Sequence, residues 1–139
     1  MGSSTVIALV GFISWALFLV IIMEIMRSWV VLANKFPAND IKHDNANLSP
    51  FLQRLARAHA NCIEGLPIFG GLLLVAIITG HTSITDPLSY LFLLARIAQS
   101  STHLVSLSVA AVNIRFSFFL VQLAISVYWA INLLLALLQ

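Results

Sequence analysis

Residues 5–23 read TVIALVGFISWALFLVIIM, nineteen successive positions without a charge. About 20 apolar residues in a helix cross the roughly 30 Å hydrocarbon core of a bilayer. The run therefore reads as a first transmembrane helix. It continues through Glu24 and Arg27 to about Ala33, and Phe36-Pro37 ends it, because proline disfavours helix in the residue before it. The run is too long for the core of a secretory signal and no basic region precedes it, so a retained span is expected.

The composition says the same. Of 139 residues, 60% are hydrophobic and 9% charged, whereas a soluble domain carries about 25% charged residues. Four spans would consume most of this length. Residues 34–50 form the one long polar segment, and Ser49-Pro50 reads as a helix cap followed by proline at the first helical position. A second helix then runs to about Thr79, with Pro67 expected to kink it. After a turn, Asp86-Pro87 repeats the cap-and-proline signal and opens a third helix to about Ala111; a fourth follows from Arg115. The expected fold is all-α: a single integral-membrane four-helix bundle, with helices at about 5–33, 50–79, 87–111 and 115–138. Lys35, Lys42, Arg54, Arg57 and Arg115 all lie beside the first and third loops. The positive-inside rule then puts those loops in the cytoplasm and both termini on the other side.

Several classes of function are disfavoured. A net charge of +2, with no basic run interleaved with aromatics, gives no reason to expect nucleic acid. The lone Cys62 rules out an internal disulfide, and the four histidines form no second ligand pair at metal spacing, so no metal site is expected. No glycine-rich phosphate loop occurs.

What remains is polarity inside the spans. Arg54, Arg57, Asn61 and Glu64 are spaced 3, 4 and 3 apart and so share one stripe of the second helix. Arg96, Gln99, Ser100 and His103 share a face of the third, and Glu24 and Arg27 sit one turn apart at the end of the first. A charge at mid-bilayer costs roughly 2.5–3.5 kcal/mol on insertion scales and is tolerated where it faces a bundle interior or wet cavity. Arg27, Arg54, Arg57, Arg96 and Arg115 outnumber Glu24 and Glu64 by three. Internal pairing cannot neutralise that set; an anionic ligand could.

The second helix contains Arg57-Ala58-His59-Ala60-Asn61-Cys62-Ile63-Glu64-Gly65-Leu66-Pro67-Ile68-Phe69. This resembles the signature of the MAPEG family, the membrane-associated proteins in eicosanoid and glutathione metabolism, whose pattern Arg-Ala-x-x-Asn-x-x-Glu-x-x-Pro-x-Phe is fully present. Phe36-Pro37-Ala38-Asn39-Asp40, Arg96 with His103, and Asn113-Ile114-Arg115-Phe116 also fit, in the manner of bacterial-type members. The resemblance implies a homotrimer of four-helix subunits in a bacterial inner membrane, with glutathione as cosubstrate bound between subunits near the cytoplasmic face. It implies glutathione contacts at Arg27, Arg57, Asn61, Glu64, Arg96 and His103, and a thiolate-stabilising role for Arg115. The activity implied is a transferase or peroxidase acting on a lipophilic electrophile that enters from lipid. Where relatives that make eicosanoids carry tyrosines, this chain has His103, Phe116 and Phe118, and Gly65 leaves an aromatic position empty. A non-catalytic member that binds lipid or partner proteins is the alternative. A small drug exporter is a third reading, opposed by the arginines, which would repel cationic drugs.

Overall fold

The computed structural model describes residues 2–139. Helix α1, Ser4–Leu32, is capped by the Ser3 hydroxyl, which accepts from the Thr5 amide. A polar loop with one short 3-10 turn, Ala38–Asp40, leads to α2, Pro50–Gly65. There the Ser49 hydroxyl accepts from the Leu52 amide, as the cap-and-proline signal predicts. A π-helical turn, Leu66–Gly70, joins α2 to α3, Gly71–Ile78. Helix α4 is Thr82–Val105 and α5 is Val109–Leu137. The chain thus crosses the bundle four times, and α2 with α3 makes one crossing.

Three of these crossings, Ser4–Leu32, Pro50–Ile78 and Val109–Leu137, are long and apolar enough to span a membrane. The fourth, α4, has the length, about 36 Å at 1.5 Å per residue, but not the composition. Its polar side chains point inward: Thr85, Ser89, Arg96, Gln99, Ser100 and His103 are buried, while Tyr90, Leu91 and Leu94 are exposed. The helix is polar within and apolar without, because α1, α2 and α5 enclose it. The core around it is Phe12, Leu19, Leu55, Leu73, Phe92 and Trp129, all fully or almost fully buried.

Three sequence expectations change. Asp86-Pro87 does not open the third crossing. Helix α4 begins at Thr82, and Pro87 lies inside it, where the missing amide leaves the Ser83 carbonyl without its helical donor. Asp86 instead caps a different helix: its carboxylate accepts from the Thr5 amide at 2.8 Å, the Thr5 hydroxyl at 2.7 Å, the Ser4 hydroxyl at 3.0 Å and the Ser3 hydroxyl. The third loop comes earlier than expected, at residues 106–108. Ser108 caps α5 by accepting from the Ala111 amide, so Arg115 lies inside a helix. Pro67 does not simply kink the second crossing. Without an amide to donate to Ile63, the chain relaxes into one π turn and continues.

Candidate functional site

The polar groups of α2, α4 and α5 converge on a hollow of about 460 Å³ at the loop-one half of the bundle. Its polar lining is Asn61, Glu64, Arg96, Gln99 and Arg115, and its apolar walls include Ile68, Phe69, Phe116, Phe119 and Leu123. The size falls in the roughly 300–1,000 Å³ range of small-molecule sites. A larger hollow, about 840 Å³, lies between the end of α1 and the first loop, lined by Met26, Trp29, Phe36 and Leu52 among others. Its walls are mostly apolar and no set of buried polar groups meets there, so the smaller hollow is the candidate.

Arg96 is the centre of the site. It is 1% exposed, yet it has no carboxylate opposite it. One terminal nitrogen, Nη1, donates to Asn61 Oδ1 at 3.2 Å. The guanidinium carbon lies 5.2 Å from the Phe12 ring centre and 5.3 Å from that of Phe69, within the range at which an aromatic face attracts a cation. Its Nε and Nη2 have no hydrogen-bond acceptor in the chain. Gly65 makes this placement possible: a Cβ there would stand 3.0 Å from Arg96 Nη2 and from the Phe69 ring. Two rings and one amide oxygen offset only part of the cost of burying a cation, and the remaining donors call for an acceptor from outside the chain.

The other expected residues divide. Asn61, Glu64, Arg96 and Arg115 share the hollow. Arg115 has a sealed Nε with no acceptor, and Glu64 is exposed and makes no ion pair. Arg57 is exposed on α2, one turn before Asn61, and is not part of the lining. His103 is buried on the Arg96 face of α4, its Nε2 unpartnered, and it too lies outside the lining. Arg27 is held elsewhere. Its Nε donates to Asn45 Oδ1 at 2.7 Å, Nη2 to the His43 carbonyl at 2.6 Å and Nη1 to Glu24 at 2.7 Å, the only ion pair among the described residues. Asn45, at φ 58° and fully buried, passes the brace on by donating to the Leu52 carbonyl at 2.8 Å. Arg54 likewise ties α2 to the end of α4, its Nε donating to the Leu104 carbonyl at 2.9 Å.

One polar residue was not foreseen. Gln122 of α5 is fully buried, and its Nε2 donates to Gln99 Oε1 at 2.9 Å and to the Phe118 carbonyl at 3.0 Å. Gln122 carries no charge, and its signal in the sequence is an amide inside an otherwise apolar run. No group of three or more candidate metal ligands exists among the described residues.

Fold and hollow together define an integral membrane helical bundle with a cationic, partly apolar internal site. The sequence pattern of the MAPEG family matches residues 5–135, nearly the whole chain, and the protein belongs to that family of membrane proteins in eicosanoid and glutathione metabolism. No curated protein and no solved structure matches the chain.

Proposed function

We propose that the protein is a glutathione-dependent membrane transferase or peroxidase acting on lipophilic electrophiles. The observation that carries the reading is the pair Arg96 and Arg115: two guanidinium groups lining one hollow, with donors that nothing in the chain accepts. Glutathione offers two carboxylates, an ammonium and a thiol. Arginines match carboxylates with planar paired donors, and Glu64 matches the ammonium. Arg115 then favours the thiolate of a thiol whose ordinary pKa is near 8.5, as an adjacent cation does. The phenylalanine-lined wall receives the electrophile from the lipid side.

Arg57 and Glu64 support a homotrimer in which glutathione sits between subunits. Both are charged and exposed on the flank of α2, a costly place to face lipid and a suitable one for a neighbouring copy to cover. His103 is included as a contact from α4. Arg27 enters as the contribution of a neighbouring subunit's first helix, besides bracing the loop within its own. In the proposed orientation the first and third loops face the cytoplasm of a bacterial cell, and the termini lie across its inner membrane.

The test is calorimetric binding of glutathione to detergent-purified protein, then turnover of a chloro-dinitrobenzene-type electrophile. Arg57→Ala is expected to weaken binding, and Arg115→Ala to lower turnover more than affinity. Absence of binding would sink the reading; binding without turnover would favour a non-catalytic family member.

A further inference from the structure

The two free donors of Arg96 are out of reach of a ligand in the hollow. Nε and Nη2 form one planar fork of the guanidinium, and both are sealed from solvent as well as unpartnered. Around the guanidinium stand the rings of Phe12 and Phe69, and Nη2 lies over Gly65. The missing side chain at position 65 therefore leaves no gap: its space holds a cation. Glu64, the carboxylate in the same lining, makes no ion pair. Arg96 thus keeps its place against the rings although a counter-charge stands on the same wall. Two aromatic faces and the Asn61 oxygen make this a low-cost position for a cation at membrane depth.

We infer that Arg96 is stowed against these rings before ligand binds and swings out to meet an anionic ligand, with Gly65 and Phe12 setting the affinity through the cost of that movement. This rests on the glutathione reading and gives the site its regulation. A ligand carboxylate must draw the fork away from the rings. The observed affinity is then the intrinsic one multiplied by the fraction of molecules in which Arg96 is already out. Gly65 makes the stowed position possible. A methyl there would stand 3.0 Å from both Nη2 and the Phe69 ring, too close for either, and the end of the long Arg96 side chain is the part that can yield. Substitution at Gly65 thus closes the stowed position and keeps every donor that the ligand meets. Phe12 belongs to α1 and is not part of the lining, so losing its ring weakens the stowed state without removing a wall of the site.

The inference is tested by calorimetry with glutathione. Affinity should rise about three- to tenfold in Gly65→Ala and in Phe12→Leu, the reverse of what damage to the site produces. Binding that is unchanged or weaker in both folded variants would overturn the inference while leaving the glutathione reading in place. A second measurement needs no ligand. In protein carrying isotope-labelled arginine, the Arg96 Nε–H is identified by nuclear magnetic resonance from its loss in Arg96→Leu. Its exchange with water should be about tenfold or more slower than in a free arginine peptide, and should quicken in Gly65→Ala. Exchange at the free-peptide rate in the wild type would overturn the inference whether or not glutathione binds.

Discussion

The two ends of this bundle solve the same problem in opposite ways. Near the N-terminus of α1, polar groups surround Asp86 and satisfy one another: Thr5 meets Thr85 at 2.6 Å, the Ser4 hydroxyl reaches both the carboxylate and the backbone carbonyl of Asp86, and Ser89 donates to the Thr85 carbonyl at 2.8 Å. None of these atoms is among the sealed groups left without a partner. At the other end, Arg96, Arg115 and His103 are sheltered and keep nitrogens that nothing accepts. Polar residues in a membrane bundle are thus not one kind of evidence. A closed network specifies packing, whereas an open one awaits a ligand.

The contrast is breakable by mutation. The largest effect is expected at the closed end. Asp86→Ala removes the acceptor shared by Ser3, Ser4 and Thr5, although the Thr5 amide keeps the Ser3 hydroxyl and the Thr5 hydroxyl keeps Thr85. It should cost about 2 kcal/mol of stability in thermal unfolding in detergent, with glutathione affinity unchanged. A loss of affinity instead would mean the two ends are coupled and the division is false. Arg96→Leu should do the reverse. Removing an unpaired buried cation is expected to leave stability equal or about 1 kcal/mol higher, while glutathione affinity falls tenfold or more. Destabilisation with affinity intact would turn Arg96 into a packing residue. The smallest effect belongs to Arg27→Lys, which keeps the charge but cannot meet the Asn45, His43 and Glu24 oxygens with one planar fork. A loss of about 1 kcal/mol is expected. Full stability in that variant would show that the loop does not depend on the brace.

Much of this was legible in the sequence because lipid makes few demands. An uncharged run such as residues 5–23 has no other stable conformation in a bilayer than helix, and the motif from Arg57 to Phe69 places the polar stripe directly. Asp86-Pro87 misled because a cap signal is local and says nothing of which helix the carboxylate will reach. Here the amide it caps is 81 residues away. Arg27 and Glu24 could be seen as neighbours, but the loop that claims Arg27 has no periodicity to read. Charge flagged Arg96 and Arg115 in the site, while the neutral Gln122 behind it needed coordinates, since its partner Gln99 lies on another helix.

The π turn at Leu66–Gly70 has a geometric consequence for that site. In a plain α-helix, eight residues separate Asn61 from Phe69 by about 80° around the axis, on different sides of the rod. Absorbing one extra residue narrows that to about 20°, so an amide oxygen and an aromatic ring fall almost in line and grip the same guanidinium. The proline that forbids a regular helix thereby sets the phase of the two halves. The outer half, α3, buries Leu73 and Ala76 on one side and meets lipid on the other, and its exposed apolar positions can drift without turning the stripe that carries Arg57, Asn61 and Glu64.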